Sequence, residues 1–195
     1  MHIGIIGAGQ LGRMMALSGI PLGLRFTMYD QRADVPGAAV APIVTGQFDD
    51  HRKLARFARG VDVVTFDWEN VPVESVRAIA KIRPVWPPPR SLAASQDRLS
   101  EKRLFQRLGI PVAPYSAIET RADLARAIAT IGAPGILKTR RLGYDGKGQA
   151  AIRRAADADD AFELLHGRPL LYERYVRFSR EVSLVAARDR AGNIA

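Results

Sequence analysis

Three glycines constrain this chain more than any other feature. Gly7, Gly9 and Gly12 follow the apolar run Ile3 to Ile6 and open the helix-like stretch Gln10 to Leu17, while Asp30 ends the next extended segment, Arg25 to Tyr29. A strand that turns tightly into a helix and then resumes as a strand is the start of a parallel α/β sheet. The same order has a second use. Backbone amides at a helix start bind phosphate, and an acid at the end of the following strand accepts from a ribose hydroxyl. The glycines therefore fit either a dinucleotide site or a purely structural turn that packs a helix closely onto its strand.

The alternation continues to about residue 90. Leu54 to Ala58 lies in a second helix, Val61 to Phe66 is a near-continuous apolar strand, and Pro72 opens a helix that buries Val73, Val76, Ile79 and Ala80. Val85 and Trp86 close the unit. Pro87, Pro88 and Pro89 lack amide donors and restrain their neighbours, so they are expected to break any regular element and mark a domain boundary. Beyond them the spacing predicts a helix over Gln96 to Leu108, stopped by Gly109, then an extended segment held by Pro111 and Pro114. A helix from Thr120 to Ile131 has Thr120 as its N-cap and Asp123 in its first turn. A strand over Gly135 to Thr139, a glycine-rich loop RRLGYDGKGQ and a returning strand over Ala150 to Arg153 follow. The pattern ends with a helix over Asp157 to His166 and strands over Leu170 to Tyr175 and Glu181 to Ala187.

Composition excludes several classes of function. The absence of cysteine removes disulfides, thiolate metal sites and a cysteine nucleophile together. No apolar run approaches the roughly 20 residues that span a bilayer, and no charged leader precedes an apolar stretch, so a cytoplasmic protein without a membrane role is expected. A formal net charge of +9 attracts polyanions. The arginines are dispersed along helix-like stretches such as RADLARAIA, with no basic block interleaved with aromatics, which argues against nucleic acid. His2, His51 and His166 have no metal-ligand spacing.

The second glycine loop differs in kind from the first. Gly143, Gly146 and Gly148 lie between two strands, without the Lys and Ser or Thr at a helix start that a P-loop requires. A hairpin loop with available amides folds over a triphosphate and excludes water, and Lys138 on the preceding strand adds a cation. A lone strand-end lysine usually reaches out to solvent. Beside this loop, phosphate is the better expectation.

Five segments, taken in order, resemble the N5-carboxyaminoimidazole ribonucleotide synthetase family of the ATP-grasp superfamily: GQLGRM at 9–14, DWENVP at 67–72, DRLSEKRLFQRLGIPVAPY at 97–115, LGYDGKGQ at 142–149 and EVSLVAAR at 181–188. The resemblance implies a Rossmann-like parallel-sheet domain over 1–92, akin to the amino-terminal domain of biotin carboxylase. The first part of an ATP-grasp fold would follow over 93–195, with a lid subdomain at about 110–185 and a carboxy-terminal part absent. It implies ATP-dependent carboxylation of aminoimidazole ribonucleotide by bicarbonate through carboxyphosphate, with Mg2+, in a homodimer. Other ATP-grasp carboxylate–amine ligases, a formate-dependent transformylase and a Rossmann NAD(P) oxidoreductase are the alternatives.

Matching positions then imply roles. Arg98 and Lys138 contact ATP phosphates, and Gly143, Tyr144, Asp145, Gly146, Lys147 and Gly148 form the phosphate loop. Glu173, Arg174, Tyr175 and Val176 contact adenine, and Glu181 holds the ribose. An unpaired carboxylate in an apolar strand is costly, so ribose hydroxyls give Glu181 a partner, and a salt bridge across the sheet is the other option. Asp145 is the expected catalytic acid or base, set against a simple turn-capping role. Gln10, Leu11, Glu69 and Tyr144 are expected to hold aminoimidazole ribonucleotide. Leu142 and Arg180 depart from the family, which often has glycine at both places. No metal ligand is expected within 1–195.

Overall fold

The computed structural model describes residues 1–143, 147–189 and 191–195. The first sheet contains β1 (His2–Ile6), β2 (Arg25–Asp30), β3 (Ile43–Thr45) and β4 (Val63–Phe66), all parallel in the order β3-β2-β1-β4. Val85 extends the β4 edge through a parallel bridge to Val64. Successive side chains point to opposite faces of a strand. Ile5 and Met28 accordingly meet Ala16 of α1 (Gln10–Gly19) on one face. Ile6 and Tyr29 join a core with Leu54 and Phe57 of α2 (His51–Arg59) and Val76 and Ile79 of α3 (Val73–Ala80) on the other. Burial on both faces is why these strands read as continuous apolar runs.

The prolines act differently from the expectation. Pro88 is the N-cap of a short helix, α4 (Pro89–Ser95), and Pro89 occupies its first position. There the missing amide would have no intrahelical partner and the fixed φ already suits a helix, so these prolines begin an element instead of breaking one. Helix α5 (Arg98–Arg107) follows, with the Asp97 carboxylate accepting from Leu99 N at 3.0 Å and Ser100 N at 3.1 Å.

The second sheet contains β5 (Tyr115–Ile118), β6 (Gly135–Thr139), β7 (Gln149–Ile152) and β8 (Leu170–Arg174) in the order β5-β8-β6-β7, antiparallel throughout. Helices α6 (Arg121–Ile131) and α7 (Ala158–Leu165) share a core with Leu137, Ile152, Leu170 and Tyr172. Thr120 caps α6 as expected, reciprocated by Asp123 in a capping box. Alternation then places Lys138 and Glu173 on the sheet face away from that core.

Glu181 to Ala187 is not a strand. A strand exists through its ladder of hydrogen bonds, and among the described residues this segment joins neither sheet: only its last residue, Ala187, exchanges backbone hydrogen bonds, with Ala195, while Leu184 and Val185 are 91% and 95% exposed. Glu181 is itself exposed, so burial gives it no need of a partner. The apolar composition pointed to a strand, but composition does not supply the neighbour.

Candidate active site

The first glycine turn is filled from inside the protein. Asp67, at the end of β4, accepts from Gly9 N at 2.8 Å and Gly12 N at 3.0 Å. Asp30 accepts from Ala8 N at 2.9 Å. The amides that would hold a pyrophosphate and the acid that would hold a ribose are thus already engaged within the protein, the Gly9 and Gly12 amides by Asp67 and the Asp30 carboxylate by the Ala8 amide. Gly7 stands at φ 90°, and a Cβ there would lie 1.7 Å from an Asp67 carboxylate oxygen. The glycines therefore give the backbone room for a carboxylate. Burial pushes the Asp67 pKa up, the nearby Asp30 charge adds to this, and the two amides only partly oppose it.

Around this turn opens a cleft of about 750 Å³, lined by Gln10, Leu11, Arg32, Phe48, Trp68 and Glu69 among others. Three expected substrate contacts, Gln10, Leu11 and Glu69, thus come together, beyond the carboxyl ends of the strands where open α/β sheets hold their ligands. Trp68 packs on Phe48 with ring centroids 5.2 Å apart, giving the cleft an aromatic wall.

The second loop is built around cations. Arg98 donates from Nε to Thr139 O and from Nη2 to Gly143 O, both at 3.2 Å, tying the start of α5 to the end of β6 and the loop. Lys138 does not reach out to solvent: only 17% exposed, it pairs with Glu173 of β8. Lys102 of α5 takes the other Glu173 oxygen at 2.7 Å. Burial alone would raise the Glu173 pKa, but hydrogen bonds from Lys102 and Lys138 outweigh it and hold the carboxyl below its ordinary range. The Thr139 hydroxyl is buried with no hydrogen-bond partner among the described residues. It lies where a Cβ on Gly148 would approach to 2.5 Å, and Gly148 has φ 71°. Leu142 has φ 60°, in the left-handed region that favours glycine, so a leucine there is strained where a glycine would not be.

Three consecutive residues join the two regions. Gln96 donates to Glu69 O at 2.7 Å and Val71 O at 2.6 Å, fixing the segment behind the cleft. Asp97, 4% exposed, accepts from Arg140 Nη2 at 3.0 Å, and Arg141 adds a contact at 3.4 Å. Burial works against this carboxylate, but Arg140 and the Ser100 amide bring its pKa below the ordinary value. Arg98 then reaches the loop. Of these, only Arg98 was expected from the sequence.

The remaining expected residues divide. Tyr144, Asp145 and Gly146 lie outside the described residues. Arg174 points away from the lysine cluster, donating to Ile131 O at 3.3 Å. Tyr175 and Val176 follow β8 and are 47% and 53% exposed, and Lys147 is exposed beside Gly148. Glu181 is brought into no ion pair with a described residue. Among the described residues no group of three or more His, Asp or Glu comes together to hold a metal. Asp67 and Lys102 were missed from the sequence. Asp67 gives no local signal, since its partners lie more than 50 positions away; Lys102 does, because i, i+4 spacing puts it on the helix face of Arg98.

Comparison with known proteins follows the same division. Residues 1–96 match the ribonucleotide synthetase preATP-grasp domain, and residues 103–195 match the ATP-grasp domain. The N5-carboxyaminoimidazole ribonucleotide synthase of Pseudomonas aeruginosa is 45% identical over 192 residues, which cover 98% of this chain and 53% of that protein. The crystal structure of the Thermus thermophilus synthetase superimposes with a TM-score of 0.91 at 44% identity, covering 99% of this chain and 52% of that one. The Staphylococcus aureus enzyme complexed with ADP gives 0.95 at 34%, again over 99% and 52%. The chain spans about half the length of the curated relatives it matches. With its two domain matches in order, an internally satisfied glycine turn and a cationic second loop, the chain belongs to the N5-carboxyaminoimidazole ribonucleotide synthetase family of ATP-grasp proteins.

Proposed function

We propose that the protein carrying this chain uses ATP to join bicarbonate to the amine of 5-aminoimidazole ribonucleotide. A bicarbonate oxygen attacks the terminal phosphorus and ADP leaves; the amine nitrogen then attacks the carbon of carboxyphosphate and inorganic phosphate leaves. One observation carries the reading. Arg98 bonds the glycine loop at Gly143 O, and Lys138, 40 positions on, stands on the strand that leads into that loop, so cations and amides near it would neutralise the charge on a transferring phosphoryl group.

In this reading the loop at 143–148 covers the phosphates, adenine lies against 173–176 and Glu181 meets the ribose. Aminoimidazole ribonucleotide occupies the cleft of Gln10, Leu11 and Glu69, with Tyr144 and Asp145 between the two ligands and Asp145 taking the amine proton. A domain division near residue 92, a homodimer, a cytoplasmic location and Mg2+ belong to the same reading. Mg2+ would supply charge neutralisation for phosphoryl transfer, but the described residues do not supply its ligands: no group of three or more His, Asp or Glu comes together, Glu173 is taken by two lysines and Asp97 by arginines. A dinucleotide at the first turn is disfavoured because Asp67 already occupies the amides. No helix among the described residues is long and apolar enough to cross a membrane.

The test is ADP release by the natural full-length chain with ATP, bicarbonate and aminoimidazole ribonucleotide, omitting each in turn. Release is expected to require both bicarbonate and the ribonucleotide. Undiminished release without the ribonucleotide, or with a simple amino acid in its place, would refute the substrate assignment.

A further inference from the structure

We propose that Lys102 is a positioning residue that allows Lys138 to leave Glu173 for a nucleotide phosphate. The inference rests on the ATP reading above and assigns a task to a residue outside the expected phosphate contacts. Glu173 is a largely buried carboxylate, its side chain 13% exposed, and each of its oxygens has its own lysine: Oε1 pairs with Lys138 and Oε2 with Lys102. The lysines are 17% and 16% exposed, so the cluster is poorly screened by water. Two cations on one anion leave a positive charge in surplus, and β6 leads from Lys138 directly into the glycine loop.

Consider the cluster with Lys138 as the only partner of Glu173. Drawing Lys138 onto a phosphate would then strand a buried carboxylate, which is strongly unfavourable. Lys102 removes that obstacle. It stands one helical turn after Arg98, on an element fixed by the Asp97 cap, and its ammonium sits 5.5 Å from the centre of the Tyr115 ring. Tyr115, opposite Glu173 in the β5–β8 register, donates its hydroxyl to Gln106 and leaves the carboxylate to the lysines. The charged or titratable groups facing Glu173 among the described residues are therefore Lys138 from β6, Lys102 from α5 and Tyr115 from β5. Lys102 neutralises Glu173 in both states; Lys138 is the mobile charge.

The experiment is calorimetric titration of the full-length protein and its variants with ADP and ATP, in buffers of different ionisation enthalpy. Lys102→Met is expected to weaken nucleotide binding by roughly 10- to 100-fold and to make binding take up a proton, because Glu173 protonates once Lys138 departs. Lys102→Arg retains affinity without proton uptake. The deciding variant is Lys102→Met combined with Glu173→Gln, which has no carboxylate to strand and is expected to recover affinity to that of Glu173→Gln alone. Unchanged affinity in Lys102→Met, or a double variant no better than Lys102→Met, would overturn the proposal. If the unmutated protein bound neither nucleotide, the ATP reading would fail and the switch with it, a result separable from both of these.

Discussion

The two glycine loops of this molecule hold similar resources and use them oppositely. At 7–12 the Gly9 and Gly12 amides are satisfied by Asp67, a carboxylate in no ion pair with a described residue and with a pKa pushed up by burial. Near 143–148 the described side chains include the cations Arg98, Lys102 and Lys138, and one acid among them, Glu173, is held below its ordinary range by two lysines. The first loop has already bound its anion, which is part of the fold. The second combines a surplus positive charge with a buried Thr139 hydroxyl that has no hydrogen-bond partner among the described residues. Glycine spacing alone therefore does not identify a phosphate site; what already sits on the amides decides it.

The largest expected effect breaks that contrast at the glycines themselves. Gly7→Ala places a Cβ 1.7 Å from the Asp67 carboxylate and forces a side chain into φ 90°, so it should lower unfolding free energy by about 3 kcal/mol or more. Gly143→Ala meets its nearest atoms at 3.1 and 3.2 Å and should lower it by less than about 1 kcal/mol. Denaturant unfolding of the two variants measures the difference. Equal losses would show that both glycines serve packing alone.

Next comes the acid that organises the cationic region. Asp97→Ala removes the N-cap of α5 and the partner of Arg140, and a loss of roughly 2 to 4 kcal/mol is expected, discounted because Arg140 keeps some contact with water. Asp97→Asn retains cap geometry without the charge and should lose less. A fully stable Asp97→Ala protein would mean that α5 is positioned by packing, with its cap incidental.

The smallest effect is a pH dependence. The folded-state pKa of Asp67 is raised, so its contribution to stability is present below the unfolded value and is lost as pH rises through the folded value. Asp67→Asn stays uncharged and retains an oxygen for the Gly9 and Gly12 amides. The stability of the unmutated protein minus that of the variant should therefore fall as pH rises through and above the ordinary carboxylate range, then level. Thermal unfolding across that range supplies the curve; a difference that rises with pH would place a cation beside Asp67 and end the contrast between the loops.

Much of the architecture could be read from residue order because it is set locally. Apolar runs at Ile3 to Ile6 and Val61 to Phe66, the helix start at Thr120 and the strand at Gly135 to Thr139 follow from side-chain period, caps and turn residues, which act within a few positions. The short strand β3 gave too brief a pattern to register, and the prolines at 87–89 required knowing on which side of them a helix lay. The sequence by itself determined the αβ alternation of the first half, the two glycine turns and the presence of Lys138 just before the second. Tertiary structure alone decided that Asp67 fills the first turn, that Lys102 and Lys138 share Glu173, and that Glu181 to Ala187 joins neither sheet. Charge pairing and strand pairing depend on neighbours distant in the chain, and only folding determines which neighbours those are.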